Sequence, residues 1–321
     1  MCVGLSPKGS PKNKAKKNKV ISLRDQQPTP CLPSWRKVAA TLVVNGRGRW
    51  LGPAREPVEL SLELLRGIIA IFSRQAYANG LVDATIVNNV LRTSEDVHIF
   101  TQWTLELRMV DLGLLDDDAQ KIAFWTNVAN MGRMHAMCLF GAPTNPQSRT
   151  GMYRRTKYHI GSLVLSLHDI EHVLLKGVES PSCSLADKLP GILLESPNPL
   201  VNFALNLATT NCSFLCPLHP ATLHHSLIEA ARFAAQCTTL DPATNTLVLP
   251  CSFLCFNLQN GGSKQQLLQF LSSLLDTAAS GSADLADFVH AAASDDGTRA
   301  STSVRFFWPW EPVIDLNNRV A

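Results

Sequence analysis

The stretch LLDDDAQKIAFWTNVANMGRMHAMCLFG, residues 114–141, constrains the fold more than any other part of the chain. It starts with a run of three aspartates, which suits the positive end of a helix dipole, and it finishes on Gly141, a residue type that commonly ends a helix. Its interior carries the large apolar residues Ile122, Phe124, Trp125 and Met134. This pattern predicts a long helix that is buried at the centre of the protein.

The other predicted elements change in type along the chain. Before the central helix, apolar residues recur at three- and four-residue spacing, which predicts helices over 57–72, 81–92 and 94–107, the last with Ser94 as its N-cap. After it, strands are predicted over 157–167 around Gly161, 200–208, 245–254 and within 301–318, and helices over 168–176, 220–237, 264–276 and 283–292. Ser166 and Asp169 predict a capped start for the first of these helices. The order indicates an α+β fold, in which a helical N-terminal half packs on a small mixed or antiparallel sheet with further helices.

Composition divides the chain into three segments. Residues 1–34 are rich in Pro, Ser, Lys and Asn and are predicted to be a disordered basic tail. Residues 35–56 are predicted to form a β-hairpin or linker, because an Asn-Gly pair follows a β-rich run. Residues 57–320 are predicted to form a single α+β domain.

The tail suggests a partner of its own. Its lysines over residues 8–19 suit binding to acidic lipid or nucleic acid, or nuclear import, and a simple solvated tail is the plainer alternative. Cys2 beside this basic run also permits a two-part lipid anchor. The sequence shows no signal peptide and no apolar run of membrane-spanning length, and its nine cysteines are an odd number. An intracellular location, cytoplasmic or nuclear, is therefore expected.

Two motifs raise the question of a metal site. HDIEH, residues 168–172, fits a zinc-peptidase pattern in which His168 and His172 would bind the metal and Glu171 would act as base. The word CSFLC occurs at 212–216 and again at 251–255, which suggests a four-cysteine site. On a strand, cysteines four apart would be about 13 Å from each other, too far to share one zinc ion. No metal is therefore predicted, and His168 and His172 are the candidates if one is bound.

The first CSFLC word also suggests a third kind of site, a thiol nucleophile. Cys212 follows a predicted strand and the polar run TTN, and a loop at the end of a strand can present a nucleophile to a neighbouring base. The alternative is that Cys212 is one more buried cysteine that behaves as a small apolar residue.

Three motifs carry a resemblance to a known family. These are KIAFWTNVANMGRMHAMCLFG (121–141), YHIGSLVLSLHDIEHVLLK (158–176) and NPLVNFALNLATTNCSFLCPLHPATLHHSL (198–227). Followed in order by LVLPCSF (247–253) and LNN (316–318), they resemble the domain of unknown function 547, and the resemblance covers roughly residues 60–318. Characteristic positions of that family are held here by Trp125, Asn127, Asn130, His135, Tyr158, Gly161, Asp169, Glu171, His172, Asn206 and Cys212.

The resemblance implies a site and also several losses. It implies a cysteine hydrolase or acyl transferase with Cys212 as nucleophile, His172 or His135 as base, and Asn127 or Glu171 orienting that base. It also implies a module that works beside a protein partner. The departures from the family pattern are Ala129 for Tyr, Asn202 for His, Leu207 for Cys, Ser213 for Pro, and CFNLQN at 255–260.

These losses favour a non-catalytic or weakly active scaffold or interaction module with a basic targeting tail. The alternatives are the thiol-dependent enzyme and, third, a zinc hydrolase that uses HDIEH. The sequence indicates no cofactor.

Overall fold

The predicted central helix is present and is buried over most of its length. The computed structural model describes residues 21–22, 42–79, 84–178, 191–205, 215–241, 243–275, 283–294 and 303–307. Helix α4, Asp118–Phe140, is capped by Asp117, whose side chain accepts the backbone N–H of Gln120. It ends at Gly141, where φ is +89°. Every residue from Lys121 to Cys138 is buried, which confirms the prediction of a central element.

The helices that precede α4 pack around it. They are α1 (Pro57–Asn79), α2 (Ala84–Asn89) and α3 (Glu95–Trp103), with short 3-10 turns at Leu91–Thr93, Thr104–Met109 and Leu112–Leu114. α1 runs along α4 and also contacts α3. Ser94 stands at the N-cap position of α3 as predicted, but its side chain makes no capping hydrogen bond.

A three-stranded mixed sheet follows the central helix. Strands β3 (Thr156–Ile160) and β4 (Leu163–Ser166) pair antiparallel on either side of Gly161, as predicted. Strand β2 (Leu42–Val43) pairs in parallel with β3, so the predicted Asn-Gly hairpin is replaced by this longer-range pairing. Asn45 explains the change, because its buried amide bonds the carbonyls of Thr104 and His159 and fixes the chain there.

A second mixed sheet lies near the C-terminus. It contains β5 (Thr239–Asp241), β6 (Thr246–Pro250), β7 (Ser303–Phe307) and β1 (Ile21–Ser22), in the order β1-β7-β6-β5. β7 runs parallel to β6, and the other two pairs are antiparallel. Ile21 and Ser22 fall inside the segment predicted to be a disordered tail, and the rest of residues 1–34 lies outside the described residues.

The remaining described helices are α5 (Pro146–Arg155), α6 (Leu167–Asp169), α7 (Val201–Ala204), α8 (Leu223–Gln236), α9 (Cys251–Gln259), α10 (Lys264–Leu274) and α11 (Ala283–Ser294). α6 passes directly into a π-helix, Ile170–Leu175, and a 3-10 turn, Pro220–Thr222, precedes α8. Buried apolar side chains form one cluster that extends from Val58 to Phe306. Helices around two small mixed sheets confirm the α+β class.

Two predicted strands are wrong in part. The strand expected over 200–208 is a buried short helix, α7, at Val201–Ala204. A short apolar run does not by its spacing distinguish a buried strand from a buried helix, and packing decided the outcome here. The strand expected over 245–254 ends at Pro250, so the second CSFLC forms the start of α9. Proline suits the start of a helix because it fixes φ near the helical value.

Candidate functional site

A pocket of about 280 Å³ lies where α5, α6, the π-helix, α7 and α9 meet. It is formed by segments that are distant in sequence. Its lining residues are Arg149, Thr150, Tyr153, Arg154, His168, Glu171, His172, Lys176, Asn202, Leu205, Ser252 and Cys255. Three of the residues predicted to form a site, His168, Glu171 and His172, are therefore brought together.

Helix α5 contributes a third of the lining and was missed from sequence. Its N-cap is Asn145, and Pro146 occupies the first helical position. The Asn145 side chain accepts the backbone N–H of Ser148, and the Ser148 hydroxyl accepts the backbone N–H of Asn145. Asn-Pro before a polar, basic run is a helix-start signal that could have identified α5 and hence Arg149 and Arg154.

The two histidines reach the pocket because of the helix that carries them. Ser166 and Asp169 form the predicted capping box at the start of α6. After Asp169 the helix widens to the π form. The rings of His168 and His172 then lie with their centroids 4.4 Å apart on the pocket side. Single π-turns are rare in proteins and occur often at functional sites.

Buried charges hold the base of the pocket in place. Glu171 receives one hydrogen bond from Arg133 of α4 and another from Lys176 Nζ at 2.6 Å. Arg133 has a relative exposure of 1%, and its guanidinium lies 5.1 Å from the centre of the Tyr153 ring. Burial alone would raise the pKa of Glu171, but the charges of Lys176 and Arg133 hold it well below the ordinary value. Its carboxylate is therefore occupied by two cations and is a weak candidate for a base.

Both pocket histidines are neutral at pH 7. Burial is the main cause that lowers the pKa of His172 to about 4, and the Glu171 charge only partly opposes it. Burial, followed by the charge of Arg154, also lowers the pKa of His168. Arg154 Nη2 lies 3.4 Å from His168 Nε2 and can donate to it. A neutral imidazole can accept a proton or donate its one N–H to a ligand.

Two other predicted site residues have structural contacts instead. His135 is fully buried, and its two ring nitrogens lie 2.9 Å from the hydroxyls of Thr101 and Tyr158. Burial lowers its pKa to about 3. Asn127 is also fully buried, and its amide bonds both the N–H and the carbonyl of Leu218 at 2.8 Å. Neither residue lines the pocket.

Cys212 lies outside the described residues, as does Asn206. The chain on both sides of this segment is bound to α4. Asn130 donates to the carbonyl of Ala204 at 2.9 Å, and Asn127 holds Leu218. The two asparagines are three residues apart on one helix, so they fix two positions that lie well apart in sequence.

The metal candidates do not form a ligand cluster. Within the part of the chain that the structure describes, no group of three or more His, Cys, Asp or Glu residues is arranged to hold a metal ion. The Glu171 carboxylate accepts hydrogen bonds from Arg133 and Lys176. Cys251 and Cys255 lie on helix α9, and Cys255 lines the pocket. None of the described helices is both long and apolar enough to cross a membrane.

The fold and pocket define an α+β domain with a basic, histidine-containing cleft built on a buried helix. Residues 114–233 match the family described as "Protein of unknown function, DUF547", which confirms the resemblance over this segment. The matched segment begins just before α4 and ends within α8, so it is shorter than the span 60–318 expected from the motifs. No curated protein and no solved structure matches the chain.

Proposed function

We propose that this chain is a non-catalytic binding domain whose pocket holds a ligand but lacks the histidine expected at position 202. The observation that carries this proposal is Asn202. It stands where the family resemblance expects a histidine, and it lines the same pocket as His172. Its amide donates to the carbonyl of Pro199 at 2.8 Å and to the side chain of Gln259. An amide held in this way cannot accept a proton during a reaction.

The neighbouring groups support the same proposal. Glu171 is neutralised by Arg133 and Lys176, so it is unsuited to orient an imidazole. His135 and Asn127 contact other parts of the core. The pocket thus retains recognition groups and one accessible pair of histidines.

A thiol-dependent hydrolase or acyl transferase is the second candidate, and one observation favours it. Leu205, the last described residue before the segment that carries Cys212, lines the same pocket as the neutral His172. In this mechanism His172 takes the proton of the Cys212 thiol, and the sulfur attacks an ester carbonyl. The C–O bond then breaks, the alcohol leaves with that proton, and water hydrolyses the thioester.

Thiol reactivity separates the two candidates. The native protein, Cys212→Ala and His172→Gln are labelled with a thiol-reactive probe between pH 5 and 9, and the labelled cysteine is located by mass spectrometry. We expect Cys212 to react no faster than the half-buried Cys216, whose pKa burial raises. Rapid labelling of Cys212 at pH 6 that disappears in His172→Gln would establish the thiol-dependent enzyme.

The basic tail supplies the expected partner contact of the proposed scaffold. Lysines within residues 8–19 are proposed to bind acidic lipid or nucleic acid, while the folded domain binds a protein partner. Because Ile21–Ser22 pair with β7, the test replaces Lys12, Lys14, Lys16, Lys17 and Lys19 by Gln and leaves β1 in place. Two assays compare the variant with the native chain: sedimentation with vesicles that contain phosphatidylserine, and binding to a short DNA duplex. We expect the variant to lose binding in at least one of them, and the assay that shows the loss identifies the ligand as acidic lipid or nucleic acid. Unchanged localisation of this variant in cells would contradict a targeting function.

A further inference from the structure

The pocket has an excess of positive charge. Among its described lining residues, three are cations, Arg149, Arg154 and Lys176, and one is a carboxylate, Glu171. That carboxylate is also bonded from the core side by Arg133. Because Arg133 is buried and carries a full charge, the field within the pocket is more positive than the lining alone indicates.

A buried hydroxyl faces the same space. Ser252 lines the pocket and has a relative exposure of 4%. Its Oγ makes no hydrogen bond to any residue that the structure describes. Buried hydroxyl groups are nearly always hydrogen-bonded, and one without a partner destabilises the protein. A ligand oxygen in the pocket would provide the missing partner.

The position of Ser252 on its helix adds to this effect. Ser252 lies in the first turn of α9, and Pro250 at the N-cap offers no side-chain hydrogen bond to the helix. The backbone N–H groups at the start of a helix and its dipole both favour an anion. Positive side chains, a hydroxyl donor and this helix terminus therefore occur at one site.

We infer that this pocket binds a small oxyanion, a phosphoryl or carboxylate group, with Arg149, Arg154 and Lys176 as its charge partners and Ser252 as a neutral donor. The inference deepens the proposed function, since it names the ligand class for the same pocket. A volume of about 280 Å³ accommodates such a group with a body of a few atoms. The neutral N–H groups of His168 and His172 would supply further hydrogen bonds.

The full chain is tested by thermal unfolding and by titration calorimetry at pH 7. The probes are sodium phosphate and sodium malonate, each compared with sodium chloride at equal ionic strength. We expect a saturable rise in Tm with phosphate, malonate or both, and no such rise with chloride. A response to phosphate alone identifies a phosphoryl site, and a response to malonate alone identifies a carboxylate site.

Two variants, each with a matched control, locate the binding site. Arg154→Met and Ser252→Ala should each weaken anion binding roughly tenfold or more, because each removes a donor to a charged group. Arg232→Met removes an exposed arginine of α8 that pairs with Glu229. Thr238→Val removes another buried hydroxyl that has no hydrogen-bond partner among the described residues and that lies outside the pocket lining. Both controls should bind the anion as the native chain does.

Ser252→Ala also gives a readout that a structural defect would not. Without anion its Tm should equal or exceed that of the native protein, because an unsatisfied buried hydroxyl is removed. With anion its Tm should rise less. The inference is overturned if neither anion raises Tm more than chloride, or if all four variants respond as the native chain does. Either result leaves the thiol-labelling test of the non-catalytic proposal unaffected.

Discussion

Gly161, in the turn between β3 and β4, shows how one residue fixes local geometry. Its φ is +54°, a region that glycine adopts readily and other residues avoid. A Cβ at this position would lie 2.7 Å from the carbonyl oxygen of Val110, and the Gly161 N–H donates to the carbonyl of Leu107 at 2.8 Å. The hairpin can therefore approach the turn before α4 only with glycine here.

We predict that Gly161→Ala lowers the free energy of unfolding by about 2 kcal/mol or more, through backbone strain together with the close contact. Urea unfolding followed by circular dichroism measures the change. Gly262→Ala is the matched control, because its φ is +77° but its Cβ would meet nothing within 4 Å. Equal losses in the two variants would show that the contact with Val110 has no effect.

At the scale of elements, the Arg133–Glu171 pair connects α4 to the π-helix. Both side chains are buried, with relative exposures of 1% and 8%. Removal of one partner from such a pair leaves an uncompensated charge in the interior, which is more damaging than the loss of the attraction itself. The π-helix, which carries His172 and continues from the turn that carries His168, therefore depends on this contact.

Glu171→Gln should lower the free energy of unfolding by about 3–5 kcal/mol. Glu63→Gln serves as the control, because Glu63 and Arg66 form an exposed pair on α1, with relative side-chain exposures of 48% and 60%. Exposed pairs contribute about 0–1 kcal/mol, so the control should change little. Chemical unfolding of both variants at pH 7 gives the comparison, and similar small losses would contradict the importance of the buried pair.

At the scale of the whole molecule, two neutral histidines, the buried His135 and the half-buried His172, contribute to the response to acid. Burial lowers the pKa of His135 to about 3 and that of His172 to about 4, whereas both are near 6.5 when the chain is unfolded. Between about pH 6.5 and 4 the unfolded chain therefore binds protons that the folded chain does not. Stability is lost as the pH falls through this window.

We predict a loss of about 1.4 kcal/mol per pH unit for each of the two histidines near pH 5. Glu171 adds to the loss only below its ordinary value of 4.5, because its pKa is lowered in the folded state. Urea unfolding at pH 7.5, 6 and 5 measures the slope, and His135→Gln should reduce it by about half. A stability that stays constant between pH 7 and 5 would show that the folded chain does not hold the two histidines in the neutral form.

The sequence predicted those features of the site that depend on short-range interactions. The HDIEH motif and the capping box of Ser166 and Asp169 were found from local spacing, and the structure places His168, Glu171 and His172 in the pocket. Capping bonds and hydrophobic periodicity involve residues within a few positions of one another. They are therefore readable before the fold is known.

The rest of the candidate site could not be predicted from local sequence patterns. His135 and Asn127 were expected beside a nucleophile, but their partners are Tyr158 and Leu218, which only packing brings to them. Arg154 belongs to no motif, and the CSFLC word that contains Ser252 draws attention to its cysteines, since nothing in either segment indicates that α5 and α9 meet.

The sequence by itself determined the buried central helix, its capped ends, the hairpin around Gly161 and the resemblance that the family match over residues 114–233 supports. Each of these follows from chain geometry or from an ordered set of local motifs. Only the tertiary structure decided that 201–204 is helical, that the second CSFLC starts a helix, and that cations from separate elements line one pocket. The physical reason is that burial and charge are properties of the surroundings of a residue, and those surroundings come from distant parts of the chain.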